Sequence, residues 1–277
     1  MSVCDLENKT VMRACPLCGS SHMSALHIDY APEEWPLKQC VSCKMVYLAK
    51  TWSMDVLYED FSWEKSVEVE DQKRTRERGF SRKLSKVIRR IRNASLPRKN
   101  AANLIMQYCQ SGNVLDVGCG VGFHLNQLSD TYTPYGIEIS KEAAEKGGPV
   151  MQSKGGGIVN NDALGGMKTF DENFFTGIIM RSFLEHDVNP LATLAEGLRI
   201  LKPGGVIVIK VPNYACLNRI MMGRHWCGFR FPEHVNYFTP SSIREMVLKT
   251  GLTIKRFNPM DRFFMSDNMW LLCEKPR

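Results

Sequence analysis

The sequence predicts an α/β protein, a mostly parallel sheet covered by helices on both faces, preceded by a small cysteine-rich unit. Three observations carry this expectation. From about residue 100, short apolar runs alternate with amphipathic stretches, the pattern of a sheet buried on both sides. One such run, VLDVGCGVG at 114–122, leads straight into three glycines at every second position. Ahead of it lie two CxxC pairs, CPLC at 15–18 and CVSC at 40–43.

The elements follow in order. A helix over Asn100 to Cys109 precedes the strand VLDVG, and a second helix opens near Phe123. Strand YGIEI (135–139) runs into a helix for which the Ser140 hydroxyl is the N-cap. The short strand GIV (157–159) leads to NNDA, and GIIMRS (177–182) is the fourth strand. Pro190 to Leu201 forms a helix ended by LKPGG, and VIVIKV (206–211) is the fifth and central strand. TPSSIREMVLKTG (239–251) is a helix with a serine or threonine cap and a terminal Gly251. TIKRF and MWLLCEK complete seven strands as a neighbouring pair.

A chain of 277 residues, 44% of them hydrophobic, can bury one full core and carry a smaller unit as well. The start, MSVCDLENKT, has neither the basic nor the apolar region of a secretion signal, and no apolar run approaches the roughly 18 to 20 residues of a membrane span. The expected location is therefore cytoplasmic. In a reducing compartment ten cysteines that include two CxxC pairs point to metal ligation rather than disulfides.

Net charge is +7, but it is local. Residues 73–99 hold twelve Lys and Arg against Glu77 alone, a net +11, so the rest of the chain carries −4. Within this segment Phe80, Leu84, Val87, Ile88 and Ile91 recur at helical spacing. A helix packing this stripe on the main domain, with a solvated basic face, accounts for the pattern. An anionic substrate, a peripheral membrane contact or RNA are the alternatives. RNA is the weaker, because Phe80 is the only aromatic in the segment able to stack on a base. The organisation expected is a ribbon-like unit over 1–50, a connection and basic helix over 51–99, and the main domain over 100–277.

The glycine loop decides the ligand. A dinucleotide loop, G-x-G-x-x-G, would require glycine at 123, where Phe123 stands, while Gly118, Gly120 and Gly122 follow a different spacing. Asp116 lies just before the loop, where an anion would repel a pyrophosphate. A cationic ligand suits it better, and S-adenosylmethionine, with an ammonium, a sulfonium and no phosphate, is one. The glycines allow close backbone approach, and Asp116 offers an anion towards the ammonium. Glu138 closes the second strand, where a carboxylate accepts both ribose hydroxyls. Asp162 and Ala163 follow the third strand, at the adenine position. These strand ends share the C-terminal edge of the sheet, where open α/β folds bind ligands.

LDVGCGVG, GIEIS, NNDA and RILKPGG resemble, in order and spacing, the motifs of class I S-adenosylmethionine-dependent methyltransferases. The resemblance covers about residues 100 to 257 and implies a Rossmann-like seven-stranded sheet. The chain departs from that family where an acid usually opens the fourth strand, here Phe175, Thr176 and Gly177. The cysteine unit, with Cys15, Cys18, Cys40 and Cys43 as ligands, is read as a zinc ribbon whose closed tetrathiolate makes the Zn2+ structural. Its layout is similar to the leader of bacterial methyltransferases acting on sugars or other small precursors.

After VIVIKV, a long connection (about 213–238) at the ligand edge is expected to form a substrate lid. It carries Trp226, Arg230 and Tyr237 as substrate-shaping candidates and His234 as the candidate base. FPEHVNYF within it again resembles these bacterial enzymes, as does LEH, which contains the second base candidate, His186. Either histidine could equally pin a loop. The expected activity is methyl transfer to oxygen or carbon of a small, sugar-like or other biosynthetic intermediate. An RNA methyltransferase gripping nucleic acid with ribbon and basic helix is the alternative, and a non-catalytic S-adenosylmethionine-binding protein is a third.

Overall fold

The structure is a computed structural model in which residues 9–53 and 99–277 are described. The basic helix expected around Phe80, Leu84, Val87, Ile88 and Ile91 falls outside the described residues. Of the basic run only Lys99 is described, paired with the buried Asp261.

The chain begins with five short strands, β1 (Thr10–Met12), β2 (Leu26–His27), β3 (Leu37–Gln39), β4 (Val46–Leu48) and β5 (Lys50–Trp52). Helix α1 (Ala101–Tyr108) starts where the Asn100 side chain accepts from Ala102 N–H. Then come β6 (Gly112–Val117), β7 (Tyr132–Glu138), α2 (Lys141–Ser153), β8 (Gly157–Asn160), α3 (Ala163–Met167) and β9 (Phe175–Arg181). The remainder is α4 (Pro190–Ile200), β10 (Leu201–Pro212), α5 (Leu217–Met222), β11 (Asn236–Tyr237), α6 (Pro240–Lys249), β12 (Thr253–Arg256) and β13 (Asn268–Glu274).

Seven strands form one sheet in the order β12-β13-β10-β9-β6-β7-β8. The pairs from β10 through β8 are parallel, and β13 runs antiparallel to both β10 and β12. From β6 the chain moves outward to β7 and β8, then crosses back to β9, so the switch point falls at the end of β6, beside the glycine loop. Leu115, Ile178, Met180, Ile207 and Ile209 pack on one face with Leu194 of α4 and Ile243 and Met246 of α6. Val114, Ile179, Val206 and Val208 pack on the other with Leu104 and Ile105 of α1. Burial on both faces is why these strands read as unbroken apolar runs, each fully buried Ile or Leu contributing about 1.5–3 kcal/mol.

Local details depart from expectation. The helix expected near Phe123 is a single 3-10 turn, Leu125–Gln127, because β7 already begins at Tyr132. LKPGG does more than end a helix: Leu201 already pairs with β9, and the register shifts before Val206. The middle strand is β9, and β10 stands one place off, since the β12–β13 pair adds two strands beyond it. The Ser140 cap holds, with its hydroxyl accepting from Ala143 N–H. At α6 the Thr239 hydroxyl accepts from Ser242 N–H while Ser242 Oγ accepts from Thr239 N–H.

The small unit is woven into the main one. β11, from the expected lid, joins β4, β3 and β2 in a four-stranded sheet, and β1 pairs with β5, which carries the unit past the expected boundary to Trp52. Val46 and Leu48 of β4 face an aromatic core of Trp35, Tyr214, Trp226, Phe229 and Tyr237, whereas Tyr47 packs in the main core. That alternation is the period-two signature of a strand sandwiched between two hydrophobic bodies. Among the described residues no helix is long and apolar enough to cross a membrane.

Candidate active site

The glycine loop turns through three left-handed positions, Gly118 at φ 70°, Gly120 at 55° and Gly122 at 80°, a conformation that costs other residues about 1–2 kcal/mol each. Gly118 and Cys119 N–H donate to the Ile137 carbonyl at 2.9 and 3.1 Å, tying the loop to β7. Glu138 closes the arrangement: one carboxylate oxygen accepts from Gly120 N–H and the other from Ser140 N–H, both at 2.8 Å. Its position is thus fixed between the loop and the start of α2.

Next to this loop lies a cavity of about 590 Å3 whose lining includes Gly118, Gly120, Glu138, Asp162, Ala163 and His186. This size is typical of small-molecule sites. Asp162 caps the short α3, accepting from Gly165 N–H at 2.9 Å. Gly122 lies outside the lining, and so does Asp116, which is only 3% exposed. Burial pushes the Asp116 carboxyl well up, with Arg181 opposing and Glu138 adding to the rise. Asp116 thus lies buried behind the loop, within electrostatic reach of the lining residues Arg181 and Glu138 rather than on the wall itself.

The loop after β9 supplies a second group. Ser182 stands at φ 53°, and the Lys210 ammonium donates to its hydroxyl at 2.9 Å. His186 lines the cavity, and its Nδ1 donates to the Glu233 carbonyl at 3.0 Å. Burial holds its imidazole down to about 3, opposed by that carbonyl, so the ring is neutral with its lone pair on Nε2. His234 is buried off the lining, with Nδ1 donating to the Gly228 carbonyl at 2.7 Å and its ring 4.6 Å from that of His186. Of the two base candidates, only His186 reaches the cavity wall.

Trp226 and Tyr237 also differ from expectation. Trp226 is 2% exposed and its indole N–H donates to Asp267 at 2.9 Å, while Tyr237 lies in the same aromatic core. Arg230 is likewise outside the lining. Trp226 and Tyr237 are buried there because the lid spends its aromatics on packing against the ribbon.

Three contributors had no separate weight in the sequence reading. Glu185, beside His186 in SFLEHDVNP, is buried, and its Oε2 has no hydrogen-bond partner. Burial raises it to about 7, against Lys210, Arg230 and Arg181. Ligand atoms of Glu185, His186 and His234 lie within 4.8 Å of one another, a spacing that admits a metal ion. The three cations bearing on Glu185 supply its countercharge, so we read the trio as a polar network. Thr51 and Trp52 line the cavity from the ribbon, contacts between sequence-distant segments that no local pattern announces.

The four ribbon thiols also lie within 4.8 Å of one another, with Cys15 to Cys43 at 3.4 Å and Cys18 to Cys40 at 3.5 Å. A tetrahedral zinc tetrathiolate has sulfurs about 3.8 Å apart, so a small outward adjustment accommodates the ion.

Comparison with known proteins agrees with this geometry. A family model described as a methyltransferase domain matches residues 77–256. The chain belongs to this methyltransferase family. Two ubiquinone biosynthesis O-methyltransferases of Cereibacter sphaeroides are similar to it. That of strain ATCC 17029 is 27% identical over 161 residues, 54% of this chain and 61% of the relative. That of strain ATCC 17025 is 26% identical over 182 residues, 60% and 70% of the two chains. The chain thus spans about 61% of the length of the first of these relatives. A solved SAM-dependent methyltransferase from Archaeoglobus fulgidus superposes with a TM-score of 0.50 at 18% identity, over 62% of this chain and 90% of that one, which shows a shared fold. The shared fold is the Rossmann-like one that the motifs implied.

Proposed function

We propose that this methyltransferase transfers a methyl group to an oxygen of a small biosynthetic molecule, with the cofactor held by the glycine loop, Glu138, Asp162 and Ala163. The observation that carries this reading is the single cavity lined both by those residues and by His186. Glu138, fixed by two backbone N–H groups, presents its carboxylate where ribose hydroxyls would donate. The bound cofactor supplies an already activated methyl group on its sulfonium. What remains for the protein is alignment and exclusion of water. His186, anchored through Nδ1 on the Glu233 carbonyl and kept neutral by burial, orients the acceptor hydroxyl at the cavity wall. His234 acts behind it, holding the 228–234 turn. The similarity to ubiquinone biosynthesis O-methyltransferases supports oxygen over carbon as acceptor. We further propose a structural Zn2+ on Cys15, Cys18, Cys40 and Cys43, supported by their spacing.

The test is calorimetric titration of zinc-loaded protein with S-adenosylmethionine and S-adenosylhomocysteine, on wild type and Glu138→Ala. Saturable binding that weakens about tenfold or more in the variant is expected, the loss of charge-assisted hydrogen bonds. No binding by folded, zinc-loaded wild type would sink the reading.

A further inference from the structure

We propose that Arg181 binds the carboxylate at the amino-acid end of the cofactor, so that the site selects intact S-adenosylmethionine over forms lacking this group. The inference deepens the preceding reading and rests on it.

The cavity lining is unbalanced in charge. Among the described residues that line it, Arg181 is the sole lysine or arginine, set against the carboxylates of Glu138, Glu142, Asp162, Asp187 and Glu233. Acids suit the ammonium and sulfonium of S-adenosylmethionine. Its carboxylate needs a cation, and a guanidinium meets a carboxylate with two parallel hydrogen bonds. Neighbouring bases do not compete for it. Burial holds His186 down to about 3 and His124 down to about 4, so both rings are neutral. Lys210 lies off the lining, with its ammonium on the Ser182 hydroxyl. Arg181 is exposed, and among the described residues its guanidinium makes no ion pair or hydrogen bond.

The strand order fixes where that carboxylate falls. Asp162, Glu138 and Gly118 stand at the ends of β8, β7 and β6, and the next strand across is β9, which ends at Arg181. A cofactor with its adenine at Asp162 and its ribose at Glu138 therefore carries its amino-acid tail over β6 towards β9. Neighbouring strands lie about 4.8 Å apart, so β8 and β9 are separated by about 14 Å, the reach of an extended nucleoside with an amino-acid tail. Asp116 pairs with Ile179 in the β6–β9 register, which continued by two residues sets Arg181 beside Gly118. The loop that follows closes on the same point: a Cβ on Gly118 would come 3.0 Å from the Phe183 ring. The backbone after Arg181 is held at both polar atoms of Ser182, which stands at φ 53°. Its N–H donates to the Lys210 carbonyl at 2.8 Å, and its hydroxyl accepts from the Lys210 ammonium at 2.9 Å. A left-handed serine clamped in this way maintains the placement of Arg181 against backbone strain. The same orientation sets the sulfonium over β6, next to the loop that carries His186.

The experiment is calorimetric titration of S-adenosylmethionine and decarboxylated S-adenosylmethionine, which differ in the carboxylate alone. The proteins are zinc-loaded wild type, Arg181→Met and Arg181→Lys, each checked by circular dichroism. Wild type should bind the intact form about tenfold or more tighter than the decarboxylated one. Arg181→Met should weaken the intact form about tenfold or more and leave the decarboxylated form unchanged or tighter, since a guanidinium repels a ligand that carries only positive charge. Arg181→Lys keeps the charge without the planar fork and should show an intermediate preference, a readout that does not depend on the methionine variant folding. Parallel weakening of both forms in Arg181→Met would overturn the assignment and make Arg181 a support of the cavity. A wild type blind to the carboxylate would overturn it too, as would a preference for the intact form that persists in Arg181→Met. Failure of folded wild type to bind either form would instead remove the cofactor reading beneath it.

Discussion

Glu185 joins the loop after β9 to the lid through its backbone carbonyl, which accepts from Val235 and Asn236 N–H, while its side chain is buried with Oε2 unpaired. Burial favours the neutral acid and raises it from 4.5 to about 7, and the cations Lys210, Arg230 and Arg181 hold that rise in check. Between those two values the folded chain keeps a proton that the unfolded chain releases. Stability should therefore fall as pH rises from about 4.5 through about 7, by up to about 3 kcal/mol from this group. Glu185→Gln mimics the neutral acid and should match wild type in urea unfolding at pH 5 but exceed it by about 1–3 kcal/mol at pH 8. A residual slope of the same sign is expected from Asp116, which burial also pushes up. Equal stabilities of variant and wild type at pH 8 would show that the three cations already satisfy the ionised form.

The glycine loop separates binding from folding at the level of an element. A Cβ on Gly120 meets nothing within 4 Å and would project at the cavity, whereas one on Gly122 would come 2.7 Å from the Met151 side chain of α2. Both positions have positive φ, so each alanine costs about 1–2 kcal/mol of backbone strain. Gly120→Ala should in addition weaken S-adenosylhomocysteine binding about tenfold or more. Gly122→Ala should add to the unfolding deficit, by about 1–3 kcal/mol of overpacking, while changing affinity less. Calorimetry and urea melts on the two variants separate the effects, and a Gly122→Ala that lost affinity more than Gly120→Ala would reverse the assignment. This loop, the seven strands and the Ser140 and Thr239 caps were legible in the sequence because each rests on local chemistry: φ demands, apolar runs and capping hydroxyls. Two kinds of feature were not. The burial of Asp116 depends on helices covering β6 from both faces, and the burial of Trp226 and Tyr237 depends on β11 pairing with β4, both products of contacts between distant segments.

At the scale of the whole molecule, ribbon, lid and main sheet share one folding unit. Tyr47 of β4 packs in the main core, and the lid strand β11 completes the ribbon sheet. The Lys249 ammonium at the end of α6 donates to the Leu17 carbonyl beside the cysteine knuckle at 2.9 Å. Thermal unfolding should accordingly show one transition, and removing the proposed zinc, by chelation or by Cys40→Ser, should lower it as a whole. An independently folding ribbon would give two transitions, with only the first responding to chelator. Arg13 tests the link at one point. Its guanidinium is buried, donates to Asn236 and so reaches the Leu184 and Asp187 carbonyls of the cavity loop. Arg13→Met should leave the thiols intact for metal yet cost about 1–3 kcal/mol and weaken S-adenosylhomocysteine binding, since Asn236 would lose the donor that orients it. Coupling between two sites is reciprocal: if metal in the ribbon favours the cofactor-binding form of the cavity, S-adenosylhomocysteine must favour retention of the metal. Chelator-driven zinc release, followed with a colorimetric dye, should therefore slow on adding S-adenosylhomocysteine, and the slowing should be smaller in Arg13→Met. Identical release with and without S-adenosylhomocysteine would show that ribbon and cavity touch without being coupled.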